Sequence, residues 1–194
     1  MNLTTDHQII QQVLEGDTQR FGVLVERYEG FVFTIIIRML RSKEAAEEVA
    51  QDTFVKAYTG LSGFRGESKF SSWLYQIAYR KALDYIKANK KHRAVSLVEE
   101  ITEDNMAAIE NALDLMIADE RKQMISDAIK QLDATAATIV TLYYYEDASV
   151  REIATIVSLS EDNVKVKLYR SRKKLYALLK KRLYMKPMNA HGKA

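Results

Sequence analysis

The spacing of apolar residues along this chain fits helices throughout and offers little for a sheet. Apolar side chains recur every three or four positions, and only one Pro and seven Gly interrupt the 194 residues. Polar residues that favour helix starts precede several of these runs, among them Ser42, Asp133 and the S-x-x-E capping box of Ser149 and Glu152. The sequence therefore predicts an all-α fold of short, well-capped helices.

The first 90 residues contain four such helices and one loop. Gly16 and Asp17 end a short amphipathic segment and open a second helix, which runs on through FVFTIIIRML, where the apolar density indicates burial on most sides. Ser42 caps a third helix, KEAAEEVAQDTFVKAY. Three glycines then mark the loop GLSGFRGESKF, and Ser71 or Ser72 is expected to cap the fourth helix, which continues through WLYQIAYRKALDYIKANKK.

The charges fall into three blocks that the formal net charge of +3 conceals. Residues 1–93 carry 14 basic and 11 acidic groups, residues 94–120 carry eight acidic and no basic groups, and residues 121–194 carry 15 basic and seven acidic groups. We predict two small helical domains, at 5–90 and 119–185, joined by an acidic linker at 91–118. The tail, 186–194, is predicted to be disordered.

Several classes of function are disfavoured by what the chain lacks. Cysteine is absent, which excludes disulfides, cysteine zinc sites and thiol nucleophiles. The three histidines, His7, His92 and His191, are scattered, and no phosphate-binding glycine loop occurs. No 18-residue apolar run or signal peptide is present. We expect a cytoplasmic protein that is not an enzyme, holds no metal or cofactor, and does not insert into a membrane.

A short helix, the turn Ser158-Leu159-Ser160 and a long basic helix follow one another near the C-terminal end, which is the signature of a helix-turn-helix. The period of the long helix separates two faces. The inward face comprises Val164, Leu168, Ser171, Leu175 and Leu178, and the outward face comprises Asp162, Lys165, Val166, Tyr169, Arg170 and Lys173.

Exposed Val166 and Tyr169 beside basic side chains are unusual for a solvated face. Helices that enter the major groove use this mixture, because Arg and Lys pair with guanine edges while apolar groups meet thymine methyls. Acids at Glu161 and Asp162 complement the helix dipole and are also able to accept from a cytosine amino group. The pattern favours DNA binding over the alternative, a Lys-rich terminal helix that is merely solvated.

Two stretches make the chain similar to a known family. YYEDASVREIATIVSLSEDNVKVKLYRSRKKLYALL resembles region 4 of the extracytoplasmic-function (ECF, group IV) sigma factors of bacterial RNA polymerase, and AAEEVAQDTFVKAYTGLSGFRGESKFSSWLYQIAYRKALDYI resembles their region 2. The resemblance covers about residues 6–183. It implies a region 2 helical bundle and a four-helix region 4 domain, with promoter recognition for core RNA polymerase as the function.

The resemblance also implies partners and the residues that meet them. Region 2 would dock on the clamp helices of the largest polymerase subunit, region 4 would meet the flap of the second largest, and an anti-sigma factor would hold the free protein inactive. The docking residues carried over by position are Glu47, Glu48, Gln51, Asp52, Phe54 and Lys56. From composition alone, the alternative is that these mostly acidic residues form a solvated helix face with no protein partner.

The resemblance implies that this chain contacts promoter DNA at two sites, one for the −10 element and one for the −35 element. The −10 capture loop, which holds a base pulled from the stack, corresponds to Phe64, Arg65, Glu67, Ser68, Lys69 and Phe70, with Trp73 and Arg80 in the following helix. The −35 base-reading positions fall on Lys165, Val166, Tyr169 and Arg170, and the phosphate contacts are predicted at Asn163, Lys167, Arg172, Lys173 and Lys174. Phe70, Trp73, Leu74 and Ile77 are also candidates for the core; that interpretation is preferred for Leu74 and Ile77, and both interpretations stay open for Trp73.

Three departures from the family pattern bear on specificity. Arg80 stands where the family commonly has Asn near the flipped base, and Glu161-Asp162-Asn163 replaces the usual start of the recognition helix. Ser158 stands where the turn often has Gly, so either Ser158 adopts a left-handed conformation or the turn differs. The −10 and −35 preferences are therefore expected to be this chain's own.

Two other classes of function remain as alternatives. One is a free-standing helix-turn-helix regulator that binds an operator as a dimer, and the other is an interaction protein that sequesters a partner through its acidic linker. In a sigma factor, the linker would lie in the RNA-exit path, or it would contact the chain's own basic helix when free. The net charge of −8 over residues 94–120 beside +8 over residues 121–194 motivates the second idea.

Overall fold

The structure is a computed structural model that describes residues 5–89 and 118–185, and every regular element within those ranges is helical. The predicted tail and the predicted linker, apart from Ala118, lie outside the described residues. The helices are α1 (Asp6–Leu14), α2 (Phe21–Leu40), α3 (Lys43–Thr59), α4 (Phe70–Ala88), α5 (Ala118–Ile129), α6 (Ala134–Tyr145), α7 (Val150–Val157) and α8 (Glu161–Met185). The predicted all-α fold is confirmed.

The helices α1–α4 form a first unit, in which side-chain caps set the starts of α1 and α3. Thr5 and Gln8 form a capping box at the start of α1, and Gly16, at a φ of +113°, turns the chain after it. Asp17 makes no side-chain cap bond; a 3-10 turn over Thr18–Arg20 leads into α2 instead. Ser42 accepts the Ala45 N–H at 3.3 Å and starts α3 as predicted.

The predicted start of α4 is wrong. The helix begins at Phe70, its N-cap is Lys69 with no side-chain cap bond, and Ser72 is buried within the helix. The Phe70 ring packs with Tyr28, whose centroid lies 5.6 Å away, and with Trp73 at 5.7 Å. Burial of these aromatic rings favours an earlier helix start than the nearest hydroxyl would set, since each ring removes a large apolar area from water.

The helices α5–α8 form a second unit, and here the predicted caps are confirmed. Asp133 accepts the Ala136 N–H at 2.9 Å, and Ser149 with Glu152 forms the capping box of α7. The turn before α8 uses the left-handed conformation at Ser158, with φ 55° and ψ 48°. The turn therefore keeps the geometry that suits Gly, although a serine occupies it.

The two units pack directly against each other. Helix α2 lies against α6 and α4 lies against α7, and the largest apolar cluster continues from the first unit into Ile139, Leu142 and Ile153 of the second. Arg38 of α2 is buried at this junction, where its Nη1 donates to Thr141 Oγ1 at 2.7 Å and its guanidinium carbon lies 4.2 Å from the Tyr145 ring centroid. The chain thus closes its two units around one shared core.

Across residues 5–89 and 118–185, the helices fall short of the length and apolar character that crossing a bilayer demands.

The left-handed turn at Ser158 leads to a stability prediction. Ser158→Gly removes the cost of holding a residue with a Cβ at positive φ, about 1–2 kcal/mol, and adds the larger chain entropy of Gly, about 0.5–1 kcal/mol. We expect a net gain of about 0.5–1 kcal/mol in the free energy of unfolding, measured by urea denaturation.

Ser160→Gly, in the same turn, is the matched control. Ser160 Oγ accepts the Asn163 N–H at 3.3 Å, so this change removes a helix cap and is expected to cost a few tenths of a kcal/mol. A Ser158→Gly protein less stable than the original would contradict the strain argument.

Candidate nucleic-acid interface

The outward face of α8 presents a mixed basic and apolar surface. Val166 and Tyr169 are 46% and 57% exposed, and Lys165 and Arg170 are exposed beside them. The opposite face holds the helix in place, because Val164 and Leu168 are buried. The predicted outward orientation of these side chains is confirmed; their base-reading role stays a prediction.

Two contacts within α8 organise this face. Lys165 Nζ lies 3.3 Å from Asp162 Oδ1, one turn earlier. Lys173 Nζ lies 4.8 Å from the Tyr169 ring centroid, so the ammonium rests on the aromatic face and Lys173 is only half-exposed. Because both basic groups are held by exposed partners, they remain available to a polyanion that offers a stronger field.

The predicted phosphate-contacting set lies along the same helix, and one member has a partner that sequence reasoning missed. Arg172 Nε donates to Tyr144 Oη at 2.6 Å, and its guanidinium carbon lies 5.5 Å from the Tyr143 ring centroid. Both tyrosines lie in the last turn of α6, and the run YYY before the turn was the available signal. Asn163 is exposed, while Lys167 and Lys174 are half-buried.

The predicted capture loop lies between α3 and α4. Gly66 adopts a φ of +71°, a conformation that residues with a Cβ rarely take. Arg65, Glu67, Ser68 and Lys69 are exposed. The loop therefore presents basic and polar groups to solvent at the start of α4.

Aromatic side chains support the loop from beneath. The ring centroids of Phe64 and Trp73 lie 5.3 Å apart, and each also lies 5.7 Å from the Phe70 centroid. Phe70, predicted as a member of the capture set, is only 3% exposed and so acts here as a packing residue. Phe64 and Trp73 are half-buried, Leu74 is core as preferred, and Ile77 is half-buried against that core.

Lys69 of the loop contacts the second unit. Its Nζ lies 2.8 Å from Oε1 of Glu152, the capping residue of α7. The Lys69 hydrogen bond, together with the Ser149 N–H and hydroxyl, lowers the pKa of Glu152 to about 2. One carboxylate therefore serves a helix cap and an inter-unit ion pair. Arg80, about two turns of α4 beyond Trp73, is exposed.

Next to this ion pair, α4 makes further contacts with the second unit. Tyr75 Oη donates to Glu146 Oε1 at 2.8 Å, and burial together with this bond raises the pKa of Tyr75. Gln76 Nε2 donates to the Thr155 carbonyl at 2.7 Å, and the hydroxyls of Tyr79 and Thr135 lie 2.9 Å apart.

The outward face of α3 carries the predicted docking row. The exposed members are Glu47, Glu48, Gln51, Asp52 and Lys56, and Asp52 pairs with Lys81 at 3.1 Å. Phe54, also predicted for docking, is half-buried and packs against the main apolar cluster. Val55 and Tyr58, which the sequence analysis did not select, are exposed further along the helix. Their spacing after Glu48 and Gln51 was the signal that could have identified them.

The described residues of both units contain no cluster of three or more His, Cys, Asp or Glu side chains that could hold a metal ion.

Two family models match the chain. The model described as Sigma-70 region 2 matches residues 24–92, and the model described as Sigma-70, region 4 matches residues 122–175. The first match covers α3, the loop and α4, and the second covers the helix-turn-helix and the outward face of α8. The predicted domain boundaries themselves stay predictions.

Curated relatives match along nearly their whole length. The RNA polymerase sigma-H factor of Pseudomonas aeruginosa is 32% identical over 173 residues, which are 86% of this chain and 90% of the relative. The ECF RNA polymerase sigma-E factor of Escherichia coli is 32% identical over 174 residues, which are 87% of this chain and 91% of the relative.

Solved structures share the fold. CnrH in complex with the cytosolic domain of CnrY aligns with a TM-score of 0.65 at 24% identity, covering 91% of this chain and 97% of CnrH. The sigma factor RpoE in complex with the anti-sigma factor NepR from Bartonella quintana aligns with a TM-score of 0.57 at 19% identity. The alignment covers 82% of this chain and 96% of RpoE.

The environment of Glu152 yields a pH prediction. Its folded pKa of about 2 lies below the ordinary 4.5, so the stability that the carboxylate contributes is present above pH 4.5 and is lost as the pH falls towards 2. Lys69→Met should raise the Glu152 pKa part of the way, since the Ser149 bonds remain. NMR titration of the side-chain carboxyl measures the shift.

Lys81→Met is the control, because Lys81 pairs with Asp52 and not with Glu152. An unchanged Glu152 pKa in Lys69→Met, or an equal rise in Lys81→Met, would contradict the assigned cause.

Proposed function

Because the chain belongs to the extracytoplasmic-function sigma factors of the sigma-70 family, we propose that it reads the −35 element with α8 and captures the −10 element with the loop before α4. The family assignment rests on relatives 32% identical over nearly their full length. The protein is an alternative sigma factor that directs RNA polymerase in transcription initiation. As a member of this family it is a non-catalytic initiation factor.

Family membership decides between the classes of function that the sequence left open. An operator-binding regulator and a sequestering interaction protein would each need an N-terminal half with another role. Instead, residues 24–92 match region 2 of the sigma-70 family. The residue-level assignments that follow are proposals within this family.

The −35 proposal rests on the outward face of α8. Arg170 and Lys165 supply donors of the kind that pair with guanine O6 and N7, while exposed Val166 and the Tyr169 ring supply apolar contact for a thymine methyl. Asn163, Lys167, Arg172, Lys173 and Lys174 would contact phosphates, which position the helix without specifying sequence. Tyr144 supports this role by orienting the Arg172 guanidinium through the bond at 2.6 Å.

The −10 proposal rests on the capture loop. Pulling a base from the stack costs a few kcal/mol, and stacking on an aromatic side chain returns about 1–3 kcal/mol per base. Half-exposed Phe64 and Trp73 can offer ring surface, and Arg65 and Lys69 can hold the backbone phosphates. Phe70 would support these rings from the core. Arg80 replaces the family's common Asn, so the preferred base is this chain's own.

Docking on core polymerase is proposed for the outward face of α3. An exposed row of carboxylates on a basic protein suits a partner surface that carries Arg or Lys, and the clamp helices of the largest subunit are the partner that the family implies. Exposed Val55 and Tyr58 extend this face with apolar area. The second unit would contact the flap of the second largest subunit.

We also propose regulation by an anti-sigma factor in the bacterial cytoplasm, where polymerase and promoter DNA are found. The RpoE structure contains its anti-sigma factor NepR, and the CnrH structure contains the cytosolic domain of CnrY. These two complexes support the proposal that an anti-sigma factor also binds this chain.

The first test is a run-off transcription assay on fragmented DNA of the host, with core polymerase in the presence or absence of this protein. We expect new transcripts whose starts share one −35 and one −10 motif. Arg170→Ala should lose about 1–3 kcal/mol of discrimination at one −35 base pair, while Lys174→Ala should weaken binding to all sequences alike. Equal losses for Arg170→Ala on matched and scrambled −35 elements would refute the base-reading assignment.

The α3 face leads to a prediction for polymerase binding. Glu48→Lys reverses a charge in the proposed docking row and should weaken binding to core polymerase about tenfold or more, measured by fluorescence anisotropy of labelled protein. Glu29→Lys, on an exposed position of α2, changes the net charge equally and should leave the affinity near that of the original. Equal losses in both variants would indicate a net-charge effect and reject this docking face.

A further inference from the structure

Tyr144 and Arg172 meet where the end of α6 approaches the middle of α8. Arg172 Nε donates to Tyr144 Oη at 2.6 Å, and the guanidinium carbon lies 5.5 Å from the Tyr143 ring centroid and 5.7 Å from that of Tyr144. No Asp or Glu of residues 5–89 or 118–185 pairs with this guanidinium, whereas Lys165 on the same helix is paired by Asp162 at 3.3 Å. The positive charge of Arg172 is therefore not neutralised by the described part of the chain.

The bond between the two side chains leaves donors unused on both. Nε supplies the hydrogen that Tyr144 accepts, so both Nη groups of Arg172 can still donate. A phenol hydroxyl accepts and donates, and within the described ranges the Tyr144 hydroxyl has no acceptor for its own hydrogen. A charged donor and a neutral donor thus lie side by side.

The Tyr144 ring is held in place independently of Arg172. The rings of Tyr143 and Tyr144 meet edge to face, with centroids 5.0 Å apart. Tyr143 is half-buried and packs against the main apolar cluster, whereas Tyr144 is 50% exposed. An accessible tyrosine is therefore fixed by a neighbour that belongs to the core.

Arg172 lies on the same face of α8 as Lys165, one of the proposed base contacts. Seven residues separate the two, which is close to two helical turns and about 10 Å along the axis. The major groove is about 12 Å wide, so a side chain at that distance from a base contact reaches the sugar–phosphate backbone at the edge of the groove.

We propose that Tyr144 is itself a phosphate-contacting residue, and that its hydroxyl and the Arg172 guanidinium form a clamp on one phosphodiester beside the −35 element. This proposal rests on the proposed −35 role of α8. The two non-bridging oxygens of a phosphodiester accept from several donors at once, and bonds to them are strengthened by their charge. The clamp positions α8 on the duplex without reading its sequence.

Tyr144→Phe tests the clamp, because it removes the hydroxyl and keeps the ring. We expect the full chain to bind a labelled mixed-sequence duplex about three- to tenfold more weakly, measured by fluorescence anisotropy. The slope of log K against log salt should not change, since a hydroxyl neutralises no phosphate charge, whereas Arg172→Ala should reduce the slope by about 0.9.

Tyr145→Phe is the matched control. Tyr145 is the next residue and is 46% exposed, but its ring receives the guanidinium of Arg38 and not that of Arg172. Its loss of a hydroxyl should leave DNA binding as in the original protein. Equal losses in the two variants would indicate a general effect on the end of α6 and would reject the clamp.

A double variant separates direct contact from orientation of Arg172. In the Arg172→Ala background, a hydroxyl that contacts phosphate still contributes, so Tyr144→Phe should weaken binding further, by about twofold or more. Complete disappearance of the Tyr144 effect in that background would show that Tyr144 only orients Arg172, and it would overturn the direct contact.

The outcomes separate this inference from the proposed function. Tyr144→Phe should lose equally on matched and scrambled −35 elements, because a phosphate contact carries no sequence information. Unchanged binding by Tyr144→Phe, together with a base-specific loss in Arg170→Ala, would overturn the clamp alone. A loss in Tyr144→Phe, together with equal losses for Arg170→Ala on both elements, would support the clamp and reject base reading by Arg170. A chain that binds no duplex, with or without core polymerase, would overturn both.

Discussion

The packing of α2 against α6 is the contact on which the arrangement of the whole chain depends. Helix α6 has seven consecutive buried residues, Ala136 to Leu142, so it has apolar surface on every side. A helix of that kind needs neighbours all round, and the three other helices of the second unit cover only part of it. Helix α2 packs on the remaining surface of α6. Arg38 of α2 can be buried in this contact because Thr141 accepts its hydrogen bond and the Tyr145 ring packs against its guanidinium.

That contact determines where the candidate functional surfaces lie. With α2 seated on α6, α4 comes to lie along α7, and the loop before α4 reaches the capping carboxylate of Glu152. The same packing keeps the outward faces of α3 and α8 in solvent. A single apolar junction therefore brings the predicted capture loop against the second unit and leaves the two other candidate surfaces, on α3 and α8, in solvent.

The sequence predicts those features that depend on near neighbours in the chain. The capping box of Ser149 and Glu152, the cap at Asp133 and the two faces of the first half of α8 each follow from residues three or four positions apart, and each is found. Further along α8 the predicted inward residues Leu175 and Leu178 are only half-buried, and Tyr176 and Leu179 are the buried ones. The start of α4 was mispredicted because burial of Phe70 outweighed the nearby serine hydroxyls.

The junction of the units was not predicted, since it brings together residues such as Arg38 and Thr141 that lie 103 positions apart. The all-round apolar character of α6 was the available signal, but it identifies a buried helix without identifying what covers it. For the same reason the sequence gave no indication that Lys69, in the predicted capture loop, has a partner in the second unit.

The junction of the units combines an apolar core with hydrogen bonds at its edges. Apolar contact is non-directional, so burial alone does not fix how the two units align. Here the edges of the shared core carry Tyr75, Gln76, Tyr79 and Arg41, whose hydrogen bonds to the second unit can be replaced by bonds to water. Each such bond contributes only modestly to closure while its position fixes how the units align. The apolar core therefore supplies the cohesion between the units, and the hydrogen bonds at its edges select one alignment of the two.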